Sequence, residues 1–140
     1  MTPVPLAVDE AELRELLARV PFTRAYGFRL HSIREDECVL DVPFRKTFER
    51  PGGIVSGQVF MAAADVATWF AIMTRLGKTD MSVTAQMSTA FLGVAKKEPF
   101  RCEARILRLG RRLVYGVAAC VGGDGRLLAH SSVTYARPGA

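Results

Sequence analysis

Asp65 is the residue whose type and position most directly suggest chemistry. It lies inside the longest apolar stretch of the chain, residues 59–73. If that stretch is helical, the neighbours three and four residues away are apolar except for Thr68. A carboxylate in apolar surroundings loses hydration, which destabilises the anion and makes it reactive as a nucleophile or a base. Backbone N–H groups can also satisfy such a carboxylate structurally, and the residues alone leave both interpretations open.

A second set of candidates precedes the apolar stretch, in the run 52–58 (GGIVSGQ). Glycine lets a ligand approach the backbone, and the first N–H groups of a helix carry the positive end of its dipole. Such a position suits a phosphate or an oxygen that develops negative charge during a reaction. The run lacks the lysine of a phosphate-binding loop and the spacing of a serine nucleophile elbow. A small residue at a crowded helix entry is therefore an alternative explanation of Gly57.

These candidates are positioned by a long helix, predicted for residues 56–76 and ended by Gly77. It is apolar almost all the way round, so it must be wrapped on most sides. The other predicted elements are a helix at 9–20 ended by Pro21, strands at 28–35, 38–44, 81–92, 100–106, 113–121 and 127–135, a loop at 48–55 and a hairpin turn at 122–125. Strands joined by short turns pair antiparallel. The predicted fold class is α+β, with a curved antiparallel sheet of five or six strands around one long buried helix and a short N-terminal helix.

The composition is that of one globular domain spanning residues 1–140, with 49% hydrophobic and 24% charged residues. Cys38, Cys102 and Cys120 are odd in number and widely spaced, which predicts three buried thiols rather than a disulfide framework or a zinc site. No secretory signal opens the chain. The stretch 59–73 is too short for a membrane span, so we expect a soluble, cytoplasmic protein.

Charge is distributed unevenly along the chain. Up to Ala95 there are ten basic and eleven acidic residues, whereas the remainder holds nine basic and three acidic ones. A basic C-terminal third fits a nucleic acid, a membrane surface or a phosphorylated small molecule, and it fits solvated, arginine-rich strand faces equally well. The third shows no aromatic platform or recognition motif, so we expect no nucleic-acid partner.

The run 52–65 (GGIVSGQVFMAAAD) resembles the helix-start signature of hotdog-fold acyl-CoA thioesterases. The most similar branch is that of the phenylacetate-degradation (PaaI-like) proteins, whose pattern is H-G-G, six residues, then Asp or Glu. Later segments agree in order: residues 83–84 with 91–92, then 110–111, then the closing hairpin. The resemblance covers about residues 20–136.

This resemblance implies a hotdog fold and hydrolysis of an acyl-CoA thioester to free acid and CoA, without a metal or another cofactor. It implies that the Gly57 N–H polarises the thioester carbonyl and that Asp65, from the other subunit of a dimer, is the nucleophile or the general base. Thr84 matches a Ser/Thr that helps to place the attacking water. The expected assembly is a homodimer or homotetramer with active sites at the subunit interface and no membrane partner.

Three positions depart from the family pattern. Ser56 replaces the His, Gln58 replaces the second Gly, and Arg50 replaces an amide residue fifteen positions before the acid. Ser56 keeps a hydroxyl but cannot act as an imidazole. Arg50 could neutralise Asp65, contact a CoA phosphate or face solvent. These changes motivate an alternative: a hotdog protein that binds acyl-CoA without hydrolysing it.

The remaining candidates concern substrate binding. Trp69 lies one turn beyond Asp65 and could limit the acyl pocket or pack in the core. A Ser56–His–Asp65 triad would require a histidine brought in from a distant strand. A dehydratase on the same fold would need a histidine paired with the acid near the helix start, and none lies between His31 and His130. The basic candidates for contacts with the CoA phosphates are Lys96, Lys97, Arg111, Arg112 and Arg137.

Overall fold

A computed structural model of the protein describes residues 5–139. Within that range there are three α-helices, one 3₁₀ turn at Lys46–Phe48, and eight strands. In chain order the elements are α1 Glu10–Arg19, α2 Pro21–Tyr26, β1 Arg29–Arg34, β2 Glu37–Val42, β3 Glu49–Arg50, β4 Ile54–Val55, α3 Gly57–Leu76, β5 Val83–Phe91, β6 Phe100–Leu109, β7 Leu113–Gly122 and β8 Leu127–Ala136.

Six strands form one antiparallel sheet in the order β1-β2-β6-β7-β8-β5, and α3 packs across one face of it. Burial alternates along β6, where every second residue from Phe100 to Ile106 faces the helix and the residues between them are exposed. At one such contact the rings of Phe60 and Phe100 meet edge to face, with their centroids 4.9 Å apart. The predicted α+β architecture, a sheet around one long helix, is confirmed.

The central helix α3 begins and ends within one residue of its prediction. Ser56 is its N-cap, and Gly77 ends it with a φ of 90°, a conformation that favours glycine. The sheet does not cover the helix equally on all sides: Gln58 is exposed, and Met61, Ala62, Asp65 and Trp69 are only half-buried. These five positions follow helical spacing and define one partly covered stripe of α3, which the apolar sequence had not distinguished from the rest.

Strand β5 forms an edge of the sheet. One side of its backbone pairs with β8, and within residues 5–139 no strand pairs with the other side. Its side chains are largely exposed, including Val83 at 63% and Phe91 at 53%. An open edge with exposed apolar side chains is a surface on which another strand can pair.

The structure differs from the prediction near the N-terminus and before α3. Pro21 does end the first helix, but it also begins a second, α2, because proline is well suited to the first position of a helix. The predicted loop at 48–55 contains the short hairpin of β3 and β4, whose two-residue strands are too short to show a period of two. The larger strands begin and end within three residues of their predicted bounds.

Two expectations from composition concern the core. Cys38, Cys102 and Cys120 are free and buried, as predicted. Burial raises the pKa of the Cys38 thiol far above its usual range, which keeps the thiol protonated. At 20 residues, α3 is longer than the apolar stretch at 59–73, and by length and composition alone it could cross a membrane. However, 67% of its most apolar 18-residue segment is buried inside the fold.

Candidate active site

The carboxylate of Asp65 lies half-buried on the partly covered stripe of α3, and its polar partners come from the sheet. The Thr84 hydroxyl donates to its Oδ1 at 2.6 Å, and the Tyr135 hydroxyl lies 2.8 Å from the same oxygen. Thr68, the polar neighbour on the helix itself, donates instead to the carbonyl oxygen of Ala64. The surroundings of Asp65 are therefore less apolar than its helical neighbours predicted.

Tyr135 is the site residue that the sequence analysis missed. Its hydroxyl also lies 2.8 Å from the backbone carbonyl oxygen of Asp65, and its side chain is only 4% exposed. Burial first, and then the charge of Asp65, raise the pKa of Tyr135 well above its usual value, so the hydroxyl stays protonated. Alternation along the strand at 127–135 places Tyr135 on the same face as buried Val133, and a buried tyrosine needs a hydrogen-bond partner. That combination is the signal that could have identified it.

The start of α3 lies within one residue of its predicted position. Gly57 is the first residue of the helix, and no backbone carbonyl of the described residues accepts its N–H. The Ser56 hydroxyl donates to the side-chain oxygen of Gln58 rather than capping the helix. The ring of Phe91, from β5, lies over Gly57: a Cβ added there would stand 2.8 Å from its nearest ring carbon. Glycine at this position therefore allows a close approach of β5 to the helix start.

Gly57 and Asp65 lie on the same helix, about two turns apart. They are eight residues apart on one helix, about 12 Å at 1.5 Å per residue. A thioester carbonyl spans only about 1.2 Å, as any C=O does. This separation favours an arrangement in which the two residues that act on one carbonyl come from different copies of the chain.

The structure brings some predicted binding residues together and leaves others apart. Arg111, Arg112 and Arg137 line one cavity of about 390 Å³, and the Arg137 guanidinium donates to the carbonyl oxygen of Gly110 at 2.9 Å. Because Arg137 follows Tyr135 by two residues, this arginine cluster lies at the end of the sheet that carries the Asp65 contacts. Lys96 and Lys97 lie beside the loop that precedes α3, where the Lys97 N–H donates to Gly53.

Arg50 and Trp69 are not joined to Asp65 by a hydrogen bond in the described part of the chain. Arg50 is exposed on β3 and forms no ion pair with residues 5–139. Trp69 packs against Phe70, with ring centroids 5.5 Å apart, and its buried indole Nε1 has no hydrogen-bond partner among the described residues. Packing accounts for the ring of Trp69 but not for its N–H.

Neither histidine takes part in this site. His31 faces Asp41, with Nδ1 3.3 Å from Oδ2, and His130 is exposed on β8. Among residues 5–139, neither Ser56 nor Asp65 has a histidine as hydrogen-bond partner. The same part of the chain contains no group of three His, Cys, Asp or Glu side chains that could hold a metal ion.

Comparison with known proteins gives consistent matches in sequence and in structure. Residues 52–129 match the thioesterase superfamily. A candidate esterase of Saccharolobus solfataricus is 30% identical over 125 residues, which cover 89% of this chain and 83% of that protein. The crystal structure of a candidate thioesterase from a Silicibacter species has a TM-score of 0.85 at 27% identity and covers 95% of this chain and 94% of its own.

A second similar structure is that of a candidate thioesterase from Ralstonia eutropha, described as related to phenylacetic acid degradation. Its TM-score is 0.79 at 23% identity, and the match covers 90% of this chain and 97% of that one. At this identity the likeness shows a shared fold.

Proposed function

The chain belongs to the thioesterase superfamily, and from that premise we propose that it hydrolyses an acyl-CoA thioester to the free acid and CoA. Membership and the esterase relatives support hydrolysis of a thioester or ester in general. Within the superfamily we propose the phenylacetate-degradation branch, on the strength of the run 52–65.

The observation that carries the proposal is the carboxylate of Asp65 on the partly covered stripe of α3. Thr84 and Tyr135 reach its Oδ1, and within residues 5–139 no hydrogen bond is made to Oδ2. Asp65 is only half-buried, so Oδ2 needs no protein partner and solvent can reach it. Here one oxygen is anchored and the other is available for a substrate or a water.

Two balanced routes are compatible with this carboxylate. As a general base, Asp65 takes a proton from water while the water oxygen bonds to the thioester carbon; the C–S bond then breaks and the CoA thiolate recovers the proton. As a nucleophile, an oxygen of Asp65 bonds to that carbon, CoA thiolate leaves, and water hydrolyses the resulting anhydride and regenerates the carboxylate. In both routes the carbonyl oxygen becomes negative, and the Gly57 N–H, which no backbone carbonyl of residues 5–139 accepts, can stabilise it.

We propose that each active site combines Gly57 of one subunit with Asp65 of another. The separation of about 12 Å between Gly57 and Asp65 along one helix favours a site made from two chains. The open edge of β5 and the partly covered stripe of α3 offer adjoining surfaces for a second copy, which would bury Val83 and complete the site. A homodimer is therefore the smallest assembly that can be active, and a homotetramer would contain two such dimers.

Substrate binding is assigned to residues around this interface. The cluster of Arg111, Arg112 and Arg137 suits the phosphates of CoA because guanidinium groups bind phosphate oxygens in pairs. Gln58 and Arg50 are exposed near the helix start and can contact the substrate from there. Trp69, one turn beyond Asp65, limits the acyl pocket from the stripe of α3.

The alternative is an acyl-CoA-binding protein without turnover. It is favoured by the hydrogen bond between Ser56 and Gln58, which occupies the hydroxyl at the position where the family has His. Release of free thiol from a panel of aryl and alkyl acyl-CoAs separates the two functions. We expect turnover of at least one member of the panel; saturable binding with no thiol release from any member would support the alternative.

A further inference from the structure

Two hydroxyl groups from neighbouring strands converge on one oxygen of Asp65. Thr84 of β5 and Tyr135 of β8 lie directly opposite each other in the antiparallel ladder. Their hydroxyl oxygens lie 2.6 Å and 2.8 Å from Oδ1 of the carboxylate. Because the ladder fixes both strand positions, the two donors are placed before any substrate binds.

The strand backbone is irregular at this point. The pairing of β5 with β8 shifts register between Thr84 and Gln86, which leaves Ala85 without an opposite residue. Such a bulge bends a strand and redirects its side chains, and bulges are common next to active sites. The bulge directly follows Thr84, whose hydroxyl donates to Asp65 of α3 although the residue itself is exposed.

Of the two donors to Oδ1, Tyr135 is the buried one and Thr84 is exposed. The ring of Tyr135 is in the core, and its raised pKa keeps the hydroxyl protonated. The hydroxyl has one proton and two acceptors within reach, the backbone oxygen and Oδ1 of Asp65. A bond to the backbone oxygen would serve only the fold, whereas a bond to Oδ1 would orient the reacting group. These two roles predict different results on substitution.

We propose that Tyr135 is a positioning residue for Asp65: together with Thr84 it holds Oδ1 and thereby presents Oδ2 to the reaction. This inference rests on the proposed function, because only a reacting carboxylate has an oxygen to present. Without the Tyr135 hydroxyl, the carboxylate can rotate about its terminal bond, and only a fraction of molecules present Oδ2 correctly.

The test is Tyr135→Phe, which keeps the buried ring and removes the hydroxyl. Its matched control is Tyr115→Phe, the same change at an exposed tyrosine on β7. Thiol release from the best acyl-CoA gives kcat and KM, and thermal unfolding gives Tm. For Tyr135→Phe we expect kcat to fall by about tenfold to a hundredfold, the size of one lost hydrogen bond to a charged group, with KM within about twofold of the parent. Tyr115→Phe should match the parent in both constants.

Thr84→Val removes the other donor and tests whether the two hydroxyls act on one atom. Groups that share a partner do not act independently. We therefore expect the kcat of the double variant to differ by about threefold or more from the product of the two single effects. Independent, multiplying effects would contradict a shared role on Oδ1.

The outcomes separate this inference from the proposed function. A parent protein that releases no thiol contradicts the proposed function and, with it, this inference. An active parent with a Tyr135→Phe variant that keeps its kcat but melts at a lower temperature overturns the inference alone, because it assigns the hydroxyl to the backbone oxygen. An increase in KM with unchanged kcat also overturns it, since the hydroxyl would then act on substrate binding.

Discussion

At the scale of a single residue, removing the charge of Asp65 should distinguish a catalytic role of the carboxylate from a structural one. In Asp65→Asn the amide oxygen can still accept from Thr84 and Tyr135, so the hydrogen bonds that support the fold are kept. The nucleophile or base is lost, which typically costs a hundredfold or more in rate, about 3 kcal/mol of transition-state stabilisation. We expect that loss in kcat, with a free energy of unfolding within about 1 kcal/mol of the parent.

Asp41→Asn is the matched control for this prediction. Asp41 also accepts from a neighbouring side chain, with Arg101 Nε 3.0 Å from its Oδ1, but it lies on β2, away from the stripe of α3. That variant should keep the activity of the parent. A variant Asp65→Asn that unfolds far more easily and retains most of its turnover would make the carboxylate structural and remove the centre of the proposed mechanism.

What could be predicted for this residue, and what could not, follows from the range of the interactions. Asp65 was identifiable because a carboxylate in an apolar helical run is unusual, and its neighbours three and four residues away are fixed by helix geometry. Its actual partners, Thr84 and Tyr135, are 19 and 70 positions away in sequence. Their meeting depends on strand order and register, which no local pattern encodes.

At the scale of the element, Gly57→Val tests whether the N–H at the start of α3 contacts the thioester carbonyl. The added side chain would displace the ring of Phe91, which is 53% exposed in a single chain and not part of its core, so the fold of the subunit should survive. The same side chain would crowd the N–H to which a thioester carbonyl must come close. We expect kcat/KM to fall by about a hundredfold or more, as for loss of an oxyanion donor, with an unchanged circular dichroism spectrum.

Phe91→Ala separates the two effects of that substitution. It removes the ring without placing anything next to the Gly57 N–H, so it should reduce kcat/KM far less than Gly57→Val. Equal losses in the two variants would assign the effect to the displaced ring. Normal turnover in Gly57→Val would place the carbonyl elsewhere.

Among the helices, the accuracy of the prediction increased with the number of residues that carry the hydrophobic pattern. Helix α3 was predicted within one residue because twenty apolar-rich positions end at a glycine. Helix α2 was missed because six residues carry too little periodicity and because Pro21 indicates both an end and a beginning. The partly covered stripe of α3 was also missed, since alanine and methionine are equally apolar whether the sheet or a second subunit covers them.

At the scale of the whole molecule, we propose that one chain holds only part of the active site. The edge of β5 is open, the stripe of α3 is partly covered, and Gly57 and Asp65 lie about 12 Å apart along one helix. A two-fold symmetric pair would place the same surfaces against each other and create two equivalent sites, each using Gly57 of one copy and Asp65 of the other. The molecular mass in solution, measured by light scattering, should therefore be at least twice the 15.3 kDa of one chain. A mass of 15.3 kDa would contradict the shared site.

Sharing of the site predicts that two inactive variants restore each other. In a mixed dimer of Gly57→Val with Asp65→Asn, one site receives both substitutions and the other receives none. Random pairing makes about half of all dimers mixed, so co-expression should recover about one quarter of the parent activity. The control pairs Asp65→Asn with the double variant Gly57→Val/Asp65→Asn, in which every site lacks the carboxylate and no activity should return. If mixed dimers form but the first pair stays as inactive as the control, Gly57 and Asp65 do not meet across the interface, and the catalytic partner of Asp65 must be sought within its own chain.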